Sequence, residues 1–284
     1  MQIPEITVGE LLQRYEVLLL DAYGVLVHST GPMPGAAAFV DRLNGSGKPY
    51  YLLTNDASRL PSTLARRLDA FGLAIPQECL ITSGGLLAGY FAEHRLAGAR
   101  CVVLGPEDSR RYVEGAGGRI VSPTEAFEVL VLADEAGFPF FDSVDAALTT
   151  LFRSLEAGGS VRLLLPNPDV IYPKGSSGFG FASGAVAAMF EAALRGRYPD
   201  RADLGFVRLG KPAAAIFAEA RRRSAGKTLV MVGDQLQTDI AGARAFGIDA
   251  VWVTTGVTAA GVTALPEHLR PTYRMTSLDR PAPA

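Results

Sequence analysis

The sequence predicts an α/β fold built on a parallel sheet, with a second α/β unit inserted into its middle. Three observations carry this. Short apolar runs alternate with helical patterns through the first third of the chain, and strand–helix alternation of this kind requires crossovers between parallel strands. The alternation starts afresh in the middle third and closes with a polar, turn-rich segment, Arg195 to Asp203, that reads as the return to the first unit. The last third then resumes the opening theme. Of the 284 residues, 48% are hydrophobic and 20% charged, which supplies a core for one large or two ordinary domains and leaves no sign of disorder.

The elements follow in order. Glu16 to Leu20 ends in four consecutive apolar residues and reads as a buried strand, with Asp21 at its carboxyl end and Gly24 allowing a sharp exit. The turn signal Gly31-Pro32-Met33-Pro34-Gly35 precedes a helix over Ala36 to Leu43. A second strand, Pro49 to Leu53, ends at Thr54-Asn55. The helix from Leu60 to Phe71 has Pro61 in its first turn and Gly72 at its stop. In the middle third, Cys101 to Leu104, Val129 to Leu132 and Val161 to Leu165 are strand candidates, and Ser109 to Glu114, Val144 to Glu156 and Gly184 to Leu194 are helical. Gly210-Lys211-Pro212 then leads into a helix over Ala213 to Arg223. The strand Thr228 to Val232 ends at Gly233-Asp234, the helix Ile240 to Phe246 stops at Gly247, and Ala250 to Val253 is a further strand. The tail from Arg280 onward reads as a frayed terminus.

Composition excludes several function classes. A formal charge of −2 without a basic face argues against nucleic-acid binding, and Arg221-Arg222-Arg223 reads as a solvated helix face. The two cysteines, Cys79 and Cys101, and the three histidines, His28, His94 and His268, match no zinc spacing. Met1 to Gly9 lacks a signal-peptide core and no apolar run approaches a membrane span, so no membrane partner and a cytoplasmic setting are expected.

The chemistry-bearing residues fall at strand ends. A carboxylate such as Asp21, after a buried strand, faces the crevice where open α/β sheets bind ligands, and it can attack phosphorus or carbon and carry a covalent intermediate. Capping the next turn is the competing reading. Thr54 and Asn55 offer a hydroxyl and an amide for oxyanions, Lys211 a point charge for a phosphate-sized anion, and Asp234 and Asp239 further carboxylates. Each alone is commonplace; their order and placement together are specific.

Four segments, Leu19 to Leu26, Leu52 to Asn55, Gly210-Lys211-Pro212 and Val232 to Ile240, resemble the haloacid dehalogenase-like hydrolase superfamily. The long insert, with Pro166-Asn167-Pro168-Asp169, is similar to the large α/β cap of the NagD-type, or nitrophenylphosphatase-like, branch. The resemblance implies a Rossmann-like doubly wound parallel core over residues 1–83 and 204–284 with an inserted α/β cap over 84–203. It also implies an Mg2+-dependent phosphatase acting on a small phosphorylated substrate. Asp21 would be the nucleophile and a metal ligand, with Asp234 and the Tyr23 carbonyl. Thr54 and Asn55 would hold the phosphoryl group, Lys211 would neutralise charge, and Asp239 would support Lys211 or the metal. Asn167 and Asp169 would contact substrate across the crevice; an Asx-turn is the competing reading. A large cap could also offer the surface for a homodimer.

One position departs from the family pattern. Phosphatases of the superfamily carry a second aspartate two residues after the nucleophile, as general acid and base. Here it is Tyr23, whose reference pKa of about 10 suits donation better than acceptance. Three explanations stay open. The enzyme is slow or uses a good leaving group; another acid, Asp56 or His28 being nearest in sequence, substitutes; or the chain is a metal-independent 2-haloacid dehalogenase, which carries Asp-Ala-Tyr-Gly at this point. A catalytically weak phospho-ligand-binding protein is a further alternative. Elsewhere, Asp134-Glu135 reads as a solvated loop, Gly175 to Gly180 as a mobile cap loop, and Trp252 and Tyr273 as core or edge packing.

Overall fold

The computed structural model describes residues 3–28, 30–174, 178–254 and 265–278. The tail beyond Arg280 and residues 175–177 of the glycine-rich loop lie outside these. Two parallel sheets organise the chain. The first has six strands in the order Tyr273–Met275, Asp249–Val253, Leu229–Gly233, Val17–Leu20, Tyr50–Thr54, Leu80–Thr82. The second has five, in the order Phe206–Arg208, Arg162–Leu165, Val129–Leu132, Arg100–Leu104, Arg119–Ile120. Every pairing within both sheets is parallel.

The continuous apolar runs are explained by burial on both faces. In the first sheet, Leu18, Leu20, Leu52, Val230 and Val232 face one layer containing Leu11, Phe39, Val40 and Leu43. Val17, Leu19, Leu53 and Met231 face the other, with Ile216, Phe217, Ala220 and Ala243. Successive residues of one strand thus serve opposite layers, as the period of two demands. The second sheet repeats the design: Leu130, Leu132, Leu163 and Leu165 pack on Val144, Leu151 and Phe190, while Val129, Val131 and Leu164 pack with Leu87, Phe91 and Val113.

The return from the inserted unit falls later than residue 204. Phe206–Arg208 pairs with Leu163–Leu165 as the edge of the second sheet. A polar composition before this strand marked the loop, while the strand itself is too short to show a period. The glycine-rich segment also differs from its expectation as a loop: Gly178–Phe181 pairs antiparallel with Ile171–Lys174 in a two-stranded ribbon. Trp252 is buried in a strand and Tyr273 opens the edge strand, as expected.

Side chains of the helix Glu107–Gly115 tie the inserted unit to the loop after Tyr50–Thr54. Ser109 Oγ donates to the Ala57 carbonyl at 2.7 Å and Tyr112 Oη to the Arg59 carbonyl at 2.6 Å. Just ahead of that loop's helix, the Leu60 N–H donates to Asp108 Oδ2 at 3.1 Å. Among the described residues no helix is long and apolar enough to cross a membrane.

Candidate active site

Register brings the strand ends to one level. Leu20 pairs with both Val232 and Leu52, so Asp21 emerges between Gly233-Asp234 on one side and Thr54-Asn55 on the other. The Asp21 N–H donates to the Val232 carbonyl at 2.9 Å, which fixes the chain as it leaves the sheet. Its side chain is buried and Oδ1 accepts from Lys211 Nζ at 2.6 Å. The same ammonium donates to Asp239 Oδ1 at 2.7 Å. Lys211 is only 2% exposed. Burial opposes its charge, but Asp21 and Asp239 outweigh that and hold its pKa above the ordinary amine value. Burial, then the charge of Asp21, push the Asp239 carboxyl upward in spite of Lys211. The Gln235 N–H donates to the other Asp239 oxygen at 3.1 Å.

Asp234 is completely buried, and Trp252 Nε1 donates to its backbone carbonyl at 3.1 Å. Gly24 has φ of +79°, and a Cβ there would overlap the Asp234 carboxylate. Glycine is therefore required twice over, by conformation and by close approach. This contact sets the Tyr23–Gly24 peptide against Asp234. Carboxylate oxygens of Asp21, Asp234 and Asp239 lie within 4.8 Å of one another. Three buried carboxylates facing one ammonium leave an excess of negative charge, and a hard divalent cation with oxygen ligands fits that donor set.

Above this floor opens a cleft of about 590 Å³ between the two units, lined by Asp21, Tyr23, Thr54, Asn55, Asn167, Asp169 and Lys211. Asp234 and Asp239 lie beneath it, so the structure brings all nine expected residues together. Thr54 Oγ1 accepts from the Asp56 N–H at 3.2 Å, leaving its own hydrogen to donate. The Asn55 side chain is committed otherwise than expected. Its Nδ2 donates to the Lys211 carbonyl at 3.0 Å and to Asp169 Oδ1 at 2.9 Å, and its Oδ1 accepts from the Lys211 N–H at 2.7 Å. With both amide hydrogens used, the side chain positions Lys211 and clasps the inserted unit. Asn167 Oδ1 accepts from the Asp169 N–H at 3.0 Å, the Asx-turn geometry, while both residues still line the cleft. Burial raises the Asp169 carboxyl above its ordinary value.

Of the two residues expected as substitutes for the acid at position 23, Asp56 lines the cleft and His28 does not. Asp56 accepts from the N–H groups of Ser58 and Arg59, from Ser58 Oγ and from Arg59 Nη1, so its oxygens are occupied by a turn and an ion pair. His28 is exposed, contacts Thr30, and does not line the cleft. The Tyr23 hydroxyl accepts from Arg67 Nη2 at 3.1 Å. Asp134 and Glu135, expected in a solvated loop, instead line the cleft and are half-buried. Burial pushes both carboxyls up, Glu135 to about 7. Arg59 and Tyr172 also line the cleft; no motif marked them in the sequence.

Comparison with known proteins finds two family models, two relatives and a solved structure. A family model described as haloacid dehalogenase-like hydrolase matches residues 18–119, and a second, HAD-hydrolase-like, matches residues 208–280. D-glycerol 3-phosphate phosphatase of Mycobacterium tuberculosis is 30% identical over 270 residues, covering 93% of this chain and 70% of the relative. Ribonucleotide monophosphatase NagD of Escherichia coli is 28% identical over 244 residues, covering 85% of this chain and 88% of NagD. The crystal structure of glycerol phosphate phosphatase from Mycobacterium tuberculosis in complex with magnesium superposes with a TM-score of 0.78 at 28% identity, covering 94% of this chain and 76% of that one.

Proposed function

The chain belongs to the haloacid dehalogenase-like hydrolases, in their NagD-type branch, and from that premise we propose an Mg2+-dependent phosphatase of a small phosphorylated metabolite. Polyol and nucleotide monophosphates are the substrate class that these relatives' names support. One observation carries the reading: Lys211 lies between Asp21 and Asp239 beside buried Asp234, at the floor of a cleft of metabolite size.

In this reading an Asp21 oxygen attacks phosphorus, the ester oxygen departs, and water later cleaves the aspartyl phosphate. Phosphoryl transfer needs alignment and charge neutralisation more than covalent help. Lys211 neutralises the nucleophile and the transferring group, and Thr54 donates to a phosphoryl oxygen. Asn55 acts through Lys211 and Asp169. Asp21, Asp234 and the Tyr23 carbonyl would hold magnesium, with Asp239 behind Lys211. Bound magnesium would supply further positive charge to the phosphoryl oxygens. The inserted unit, closing after Arg208, serves as the cap.

The dehalogenase alternative is disfavoured by the same floor. A metal-independent site gains nothing from a third buried carboxylate, and burying uncompensated charge costs several kcal/mol (about 3–5).

The test is release of inorganic phosphate from a panel of phosphate esters, with Mg2+ and with EDTA. Turnover with Mg2+ is expected, lost in EDTA and reduced on the order of 10⁴-fold or more in Asp21→Asn. A folded protein that hydrolyses none of the esters overturns the reading, and halide release from a 2-haloacid in EDTA would replace it.

A further inference from the structure

An apolar surface of the inserted unit has no cover among the described residues. The exposed large apolar side chains of the described chain all lie in this unit and none in the core. Three of them, Ile171, Phe179 and Phe181, belong to the ribbon of Ile171–Lys174 and Gly178–Phe181. Its register pairs Ile171 with Phe181 and Pro173 with Phe179. Directly opposed residues of an antiparallel pair share a face, and so do residues two apart on one strand. Ile171, Pro173, Phe179 and Phe181 therefore form one face, without a charged or polar side chain. Phe181 is 76% exposed and Phe179 63%.

The opposite face is the more enclosed. There the Tyr172 ring lies over Gly180, where a Cβ would overlap it, and Ala182 just beyond is buried. Neither phenylalanine lines the cleft, whereas Ile171, Tyr172 and Pro173 of the neighbouring strand do. The phenylalanines thus stand outside the cleft and back a strand that encloses it. A two-stranded ribbon with one face bare is marginal in water. Two phenylalanines exposed to this degree leave about 300 Å² of apolar surface there. With Ile171 and Pro173 the face reaches about 400 Å², within the range of the largest patch on a typical monomer, one that is often functional. A standard interface takes about 800 Å² from each partner, a little over half of it apolar. This face supplies most of that apolar share. It is also complementary to itself: carrying no charge, two copies of it meet about a two-fold axis without like-charge repulsion.

We propose that this ribbon face is the interface of a homodimer, in which two caps meet and each covers the other's Phe179 and Phe181. The consequence reaches the cleft through the strand Ile171–Lys174. Covering the phenylalanines fixes the outer strand, and the ladder ties that strand to the one carrying Ile171, Tyr172 and Pro173. The dimer thus steadies one wall of each cleft. The floor at Asp21, Lys211 and Asp234 belongs to the core of a single chain and needs no second copy. The association stands apart from the phosphatase reading; its kinetic effect rests on that reading.

The experiment is sedimentation velocity at micromolar to submillimolar concentration, with hydrolysis of glycerol phosphate measured alongside. Wild type is expected at the mass of two chains. Phe179→Ser/Phe181→Ser is expected at the mass of one, with an unchanged circular dichroism spectrum. Phe181→Asp, which sets two carboxylates against each other across the axis, also sediments as one chain and serves where the double variant does not fold. In the monomeric variants KM rises about fivefold and kcat stays within about twofold, the pattern of lost binding with the chemical step intact. A wild type of single-chain mass throughout the range, or variants that remain two chains, overturns the interface and leaves the phosphatase reading intact. A single-chain wild type that binds neutral phosphatidylcholine vesicles through Phe179 and Phe181 overturns it in favour of a lipid surface. Dissociation with KM unchanged overturns the coupling to the cleft. Dissociation of a wild type that hydrolyses no ester keeps the interface and overturns the phosphatase reading.

Discussion

Lys211 is the residue on which the floor of the site depends. Its ammonium is the partner of two buried carboxylates, and Asp239, fully enclosed beneath the cleft, cannot find water if it is removed. Lys211→Met keeps most of the volume and removes the charge. The expected cost is about 3–5 kcal/mol of folding stability, because breaking a buried ionic cluster leaves charge uncompensated. Turnover should fall roughly 10²–10³-fold with the lost electrostatic stabilisation. Urea unfolding with parallel phosphate release checks both, and an unchanged unfolding midpoint would count against the buried triad. Asp21, Lys211 and Asp234 were legible in the sequence because each follows a strand end or helix entry, where an isolated polar residue stands out against apolar neighbours. The role of Asn55 was not. An amide beside a threonine suggests an oxyanion site, and nothing in Leu53-Thr54-Asn55 reveals that both amide hydrogens meet partners more than a hundred residues away.

At the scale of elements, the loop after Tyr50–Thr54 and the end of Arg162–Leu165 form the joint between core and cap. Gly210 sits in that joint, and a Cβ there would overlap Asn55 Oδ1 and the Pro166 carbonyl. Asp169 is the cap's side of the clasp. Asp169→Ala leaves an Asn55 hydrogen unpaired at a part-buried site, a penalty of about 1–3 kcal/mol. Because Asn55 also fixes the Lys211 backbone, kcat is expected to fall roughly tenfold, since 1.4 kcal/mol corresponds to a factor of ten. Asp169→Asn retains an accepting oxygen and should stay near wild type. Steady-state kinetics on both variants decides the matter: equal defects would mean that the carboxylate contacts substrate instead of Asn55. The long central strands were legible because four or more apolar residues in a row admit few other readings. The edge strands Leu80–Thr82, Phe206–Arg208 and Tyr273–Met275 have three residues each and show no period. The helix Val8–Arg14 went unread in the sequence; its capping box, in which the Glu10 N–H donates to Thr7 Oγ1 and Glu10 Oε2 accepts from the Thr7 N–H, is the signal that could have marked it.

For the whole molecule, a formal charge of −2 conceals where the acids gather. Asp56 from the core and Asp134, Glu135 and Asp169 from the cap meet around one cleft, although about eighty or more positions separate the two groups in sequence; no local pattern could have announced it. The gathering has a thermodynamic signature. Burial raises the carboxyls of Asp134, Glu135 and Asp169, so the folded protein holds protons that the unfolded chain has already released. Stability from this source is fully present below the unfolded carboxylate value of about 4. It is lost as pH rises through the folded values, which for Glu135 means about 7. Carboxylates on the surface work in the opposite direction. Glu219, held at about 2 chiefly by Arg222, contributes above the unfolded value and loses that contribution only as pH falls below it. Between about pH 5 and pH 8 the surface set is fully ionised in both states, so the cleft set governs the slope. The metal-free protein is therefore expected to melt at a lower temperature at pH 8 than at pH 5, and Glu135→Gln should reduce that difference by removing one of the groups, with Asp239, whose window falls within it. Calorimetry of both proteins across this range is the measurement. A melting temperature that climbs steadily from pH 5 to pH 8 in wild type would mean that the two halves of the cleft do not meet as closely as their buried carboxylates require.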